Sequence, residues 1–354
     1  MYKIYQEIQK RIQKIDFNKL WEGFSPCEFA LYDDKTVYFE TYEIPITDQF
    51  LGNTTIVYAG KQIAIWKIEE NDMKDLDLLA TSIVHEMYHS YQMQFGENRF
   101  FNDIKALSYP ITYHNFNLKL FESKLLVQSL MEEDHQKKEM LFNKFILVRK
   151  KRFEIIGENS LYEKSMETIE GAAEYVALIS LKKLNLETYK VKLKKAIDWI
   201  TTVDEKFLDI RRSAYYTGAL ICLVADDLHV NFKKKLEPNL KYNFDLITEN
   251  YPLKPWEFEI DKNPEIQFMI NKRTDKISKI INDIKADKKV EIFNGDYTVQ
   301  GYDPMNMMRF ENYVYHKHFL GINEDGKTDF VMGEIVIETD GKDFSRFSTY
   351  YKVQ

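Results

Sequence analysis

Between Asn115 and Leu184 apolar residues recur at helical spacing almost without a break. Phe116, Leu120, Leu125, Leu126 and Leu130 mark one helix, and Leu141, Phe145, Ile146 and Val148 mark the next. Pro110 and Gly157 punctuate them, and Ser165 opens a further helix that runs to Leu184. A chain with this stretch at its centre folds around packed helices. The 13 Gly and 8 Pro in 354 residues argue against a turn-rich all-β design.

The flanks add the rest. Residues 3 to 16 place Ile4, Ile8, Ile12 and Ile15 on one helical face. Asp72 to about Gly96 reads as a helix with Asp72 as its cap and Gly96 as its stop. Asp204 to His229 and Asn263 to Ala286 give two more. Thr36 to Thr41 alternates like a strand, and Thr54 to Tyr58 with Gln62 to Lys67 reads as a hairpin turning at Ala59-Gly60-Lys61. After Asp287 to Lys289 the pattern changes. Strand-like runs then alternate with turns at Asn294-Gly295, Asp325-Gly326 and Asp340-Gly341. The expected fold class is α+β: residues 1–286 form a mostly helical body with a small N-terminal sheet, and residues 287–354 form a small antiparallel β module.

Charge and cysteine usage exclude several functions. The net charge is −7, with no basic surplus for nucleic acid. Cys27 and Cys222 lie far apart, which suits free thiols in a reducing compartment. Lys3, Glu7, Lys10, Arg11 and Lys14 interrupt any signal-like apolar start, and no run is long enough to span a membrane. The expectation is a cytoplasmic protein without a membrane or nucleic-acid partner.

The sharpest motif is His85-Glu86-Met87-Tyr88-His89. Histidines four residues apart lie one helical turn apart on one face, so both imidazoles can reach a single ion. Such nitrogen ligands suit zinc, with one position left open to water. Glu86 is offset from His85 around the helix, where it can take a proton from that water. A third ligand is required. A metzincin continuation would place Gly at 92 and His at 95, but Gln92 and Phe95 stand there. The helix from Ser165 offers Glu167, Glu170 and Glu174 on a shared face, beside the small residues Gly171, Ala172 and Ala173. Those small residues would let it approach the His helix closely. The other reading of that face is a solvated acidic stripe.

His85-Glu-x-x-His89 followed by a Glu-x-x-x-Glu helix resembles the gluzincin group of zinc metallopeptidases. The form Glu170-Gly171-x-Ala173-Glu174-Tyr175 is similar to bacterial peptidases with an "EGxAxY" helix. That resemblance covers roughly residues 50 to 225. It extends through Tyr109-Pro110, Glu122-Ser123 and Arg149-x-x-Arg152. It implies a zincin-like body, with residues 97 to 164 as a helical insertion. It also implies one zinc ion on His85, His89 and Glu170, with Glu174 orienting a ligating histidine; the shared helix face places Glu167 beside them as well.

An oxyanion donor is expected as well, and Tyr215 or Tyr216 of Arg211-Arg212-Ser213-Ala214-Tyr215-Tyr216-Thr217-Gly218 is the candidate. Arg149, Arg152, Arg211 and Arg212 would hold a substrate carboxylate or pair with Glu167 and Glu174. His316 and His318 share a strand face without supporting ligands nearby. The expected function is peptide-bond hydrolysis, with Glu86 as general base and the hairpin offering an edge strand to the peptide. The alternatives are a zinc hydrolase of a small non-peptide amide and a non-catalytic zincin-like binding protein.

Overall fold

The structure is a computed structural model that describes residues 1–249 and 251–353. It is an α+β chain, about half helical, with two sheets. Helices α1 (Tyr2–Ile12) and α2 (Phe17–Leu20) precede the first sheet, which holds β1 (Phe29–Tyr32), β2 (Thr36–Tyr38), β3 (Glu43–Pro45), β4 (Thr54–Tyr58) and β5 (Lys61–Lys67). Its order is β3-β2-β1-β5-β4; β1 and β5 run parallel and the other pairs antiparallel. The hairpin forms as its sequence suggests, with Ala59 and Gly60 at positive φ in the turn.

Strand β1 is buried at every position. Phe29 and Leu31 pack into the main core with the helices, while Ala30 and Tyr32 join Val37, Phe39, Phe50, Ile63 and Ile65 on the opposite face. Such a strand shows no polar alternation, so nothing in its sequence announces it.

Helix α3 (Leu76–Gln94) crosses the first face of this sheet. Asp75, not Asp72, caps it, accepting from the N–H groups of Asp77 and Leu78. Asp72 instead opens a separate 3-10 turn that ends at Lys74. Gly96 at φ +72 ends α3, and the Glu97 N–H closes the turn on the Gln92 carbonyl.

The central helices are α4 (Asp103–Ala106), the long pair α5 (Tyr113–Met131) and α6 (His135–Ile156), α7 (Ser160–Met166) and α8 (Ala172–Leu184). Ser165 caps nothing: it lies buried within α7 and donates to the Arg99 carbonyl. A π-helical turn, Glu167–Gly171, joins α7 to α8. Helices α9 (Leu186–Thr201) and α10 (Ile210–Asp227) then pack on α8, and α10 also lies against the π-helical turn. Gly171 and Gly218 make that last contact possible. A Cβ on Gly218 would fall 2.7 Å from the Glu167 carbonyl oxygen, and one on Gly171 would fall 2.7 Å from the Gly218 Cα. The small residue at 171 therefore serves contact with α10, where the sequence suggested contact with the His helix.

Helices α11 (Asn243–Glu249) and α12 (Pro264–Ala286) complete the helical part. The second sheet holds β6 (Glu291–Tyr302), β7 (Met307–Phe310), β8 (Tyr313–His316), β9 (Phe319–Glu324), β10 (Lys327–Met332), β11 (Ile335–Glu338) and β12 (Arg346–Lys352). It is antiparallel throughout, in the order β10-β9-β6-β12-β11-β8-β7. Asn294-Gly295 is not a turn but lies inside β6, where the register against β12 shifts. Helix α12 joins two cores: Ile266 and Ile270 pack with the helices, and Ile277, Ile281 and Ile284 pack on Tyr315 and Val336 of the second sheet. No helix among the described residues is long and apolar enough to cross a membrane.

Candidate metal centre

Helix α3 presents His85 and His89 one turn apart, and the π-helical turn presents Glu170 opposite them. The two Nε2 atoms lie 3.1 Å from each other. Glu170 Oε2 lies 3.7 Å from the first and 3.2 Å from the second. The side chains of His85, His89 and Glu170 retain 13%, 15% and 15% exposure, so they are mostly desolvated yet open to a small ion. Three donor atoms converging in this way could hold a metal ion.

Each ligand atom is aimed by a second contact. His89 Nδ1 lies 2.7 Å from Gln92 Oε1, and Gln92 Nε2 donates to the Ile169 carbonyl at 3.1 Å. That second bond fixes the amide, so Nδ1 turns its N–H to Gln92 and Nε2 is the nitrogen facing His85 and Glu170. His85 Nδ1 lies 3.6 Å from Glu174 Oε2, and Lys192 of α9 lies 3.1 Å from the other oxygen of Glu174. Arg211 approaches Glu170 Oε1 at 3.6 Å and bonds Asp103. Glu170 thus keeps Oε2 toward the histidines. The sequence offered no signal for the roles of Lys192 and Asp103, and Gln92 entered it only as a residue that excluded another ligand pattern.

Glu167 goes elsewhere. A π-helical turn adds a residue to the helix repeat, so Glu167 leaves the face shared by Glu170 and Glu174. Its carboxylate pairs with Arg149. Behind it lies a buried network in which Arg152 donates to Glu122 and Glu163, and Lys119 donates to Glu163 at 2.7 Å. Tyr109 also donates to Glu163 there. Arg149 and Arg152 are fully buried in this network, with no path to a substrate. A buried charge set of this kind holds its geometry because each member needs its partners.

A pocket of about 270 Å³ opens over the three ligand atoms. Glu86 and Tyr215 line it, together with Thr54 and Thr55 of β4. Met93 and Phe100, both about half exposed, form an apolar rim that the sequence reading did not single out. Thr55 ties β4 to the His helix through a 2.6 Å contact with the Ser90 hydroxyl. Tyr216 is not among the lining residues; its ring packs on Trp199. His316 is buried on β8, and His318 pairs with Asp303 on the second sheet.

The electrostatics favour a cation. Burial would lower the His85 imidazole, but Glu170 and Glu174 outweigh it and push it up to about 10. Burial would raise Glu170, but the two histidines hold its carboxyl well below the usual range. Glu174 is likewise held down at about 2 against burial, chiefly by Lys192 and His85. Burial raises Glu86. Comparison with family models, with curated proteins and with solved structures finds no match to the chain.

Proposed function

We propose that the chain is a zinc-dependent peptidase with a zincin-like body. The observation that carries this reading is the triangle of His85 Nε2, His89 Nε2 and Glu170 Oε2. Its edges of 3.1, 3.2 and 3.7 Å leave one point about 1.9 Å from all three atoms, close to the ~2.0–2.2 Å of zinc–nitrogen and zinc–carboxylate bonds. Two imidazoles and one carboxylate, with a fourth direction facing a pocket, form the donor set of a catalytic zinc site rather than a closed structural one.

Zinc bound there would supply Lewis acidity, lowering the pKa of water to about 7 and polarising a carbonyl. Glu86 points into the same pocket without a partner among the described residues, so it can accept the proton of the attacking water and deliver it to the departing amine. The Tyr215 hydroxyl, beside Glu170 and Arg211, donates to the carbonyl oxygen as negative charge builds on it. Burial raises the Tyr215 hydroxyl's pKa, which keeps it protonated for that task. Strand β4 ends its sheet, so its outer backbone edge can pair with an extended peptide laid across the pocket. That edge favours a peptide over a small amide.

Bound metal measured on the purified protein tests the ligand set. One zinc per chain is expected, with affinity falling by several orders of magnitude in Glu170→Ala. An unchanged zinc content in that variant would remove Glu170 from the site.

A further inference from the structure

A second cleft, of about 1230 Å³, separates the C-terminal sheet from the helices. Its walls are the ends of α9 and α10, one face of α12 and strand β7. β7 is the last strand of its sheet and pairs only with β8, which leaves its other backbone edge without a strand. Trp199, Met269, Met305, Met307 and Met308 supply apolar surface that adapts to different side chains.

The charge of this cleft runs against that of the chain. Eight Lys and Arg side chains line it against five Asp and Glu, in a protein of net charge −7. Arg211, Arg212 and Lys276 are paired, with Asp103, Asp209 and Glu205. Among the described residues, Lys195, Lys206, Lys272 and Arg273 form no ion pair, although Lys206 lies over the Trp199 ring. Arg273 is half-buried, and burial lowers its guanidinium even though Asp209 and Glu205 pull the other way. A partly desolvated guanidinium that forms no ion pair of its own gains from an anion brought by a ligand.

We propose that this cleft binds an extended acidic peptide segment, its backbone paired with β7 and its carboxylates set against Arg273, Lys272, Lys195 and Lys206. A strand edge and methionines suit a peptide, whereas a bare phosphate would use only the cations. Arg211 connects the two sites: it lines the cleft and approaches Glu170 at 3.6 Å. On the peptidase reading, on which this step rests, the acidic segment belongs to the substrate whose scissile bond occupies the pocket.

The test uses zinc-loaded, full-length Glu86→Gln protein, so that bound peptide is not cleaved. Fluorescence anisotropy is read with a labelled ten-residue Glu-rich peptide, its Gln-rich and Lys-rich counterparts, and inorganic tripolyphosphate as competitor. The Glu-rich peptide should bind about tenfold or more tighter than the Gln-rich one, and the advantage should shrink in high salt. Lys272→Gln/Arg273→Gln should remove it and Arg273→Lys should largely keep it. Equal binding of Glu-rich and Gln-rich peptides by the unaltered cleft would overturn the proposal. So would tripolyphosphate binding with no binding of the Glu-rich peptide. Selective binding without any cleavage by the wild type would leave the cleft assigned and contradict the peptidase reading. Cleavage of both peptides with the same KM would do the reverse.

Discussion

Gln92 Oε1 lies 2.7 Å from His89 Nδ1, on the side of the ring away from His85 and Glu170. The same side chain reaches the Ile169 carbonyl, one residue before Glu170. A single amide therefore orients the His89 ring and ties its helix to the turn that carries Glu170. Gln92→Ala should weaken zinc binding by about 10–100-fold while the protein stays folded. Competition with a calibrated chelator measures this. An unchanged affinity would show that the amide does not orient His89.

The contact between Gly218 and the π-helical turn is made by backbone alone. A Cβ at Gly218 would meet the Glu167 carbonyl oxygen at 2.7 Å and the Glu167 Cα at 2.8 Å, neither of which can rotate away. Gly218→Ala should therefore destabilise the fold by about 1–3 kcal/mol or more, and it should lower zinc affinity by moving Glu170. Thermal melts with and without zinc are the measurement. A variant that melts like the wild type would contradict the close approach.

His316 gives a pH dependence remote from the metal centre. It is 3% exposed on β8, and neither ring nitrogen has a hydrogen-bond partner among the described residues. Burial lowers its pKa from 6.5 to about 4. Above about pH 6.5 the ring is neutral both folded and unfolded and does not affect stability. As pH falls from 6.5 toward 4, the unfolded chain takes up the proton first, so stability is lost across that window, by about 3 kcal/mol in total. Urea unfolding at several pH values, compared between wild type and His316→Leu, isolates the effect. Parallel curves for the two proteins would rule it out.

The pairing of His85 with His89 was legible because residues four apart on one helix share a face. Glu170 was legible as their neighbour because an acidic residue beside small ones marks a helical segment that can pack closely. Glu167 was misplaced because a helix wheel assumes 3.6 residues per turn, and the π-helical turn breaks that count between Glu167 and Glu170. Asp75 took the cap from Asp72 because a 3-10 turn precedes α3. Strand β1 was invisible because burial on both faces removes the polar alternation that marks a strand. Gln92, Lys192 and Asp103 could not be read from spacing, since their roles exist only where separate helices meet.

Peptide hydrolysis by the Glu86→Gln variant tests the central claim most directly. The measurement is cleavage of an unstructured peptide library by zinc-loaded wild type and by zinc-loaded Glu86→Gln, with bound zinc quantified in both. The wild type should cleave and lose activity on chelation. The variant should hold the same one zinc per chain and cleave at least about 100-fold more slowly, as expected for loss of a general base. Equal cleavage by the two proteins, or none by a wild type that carries its zinc, would contradict the account.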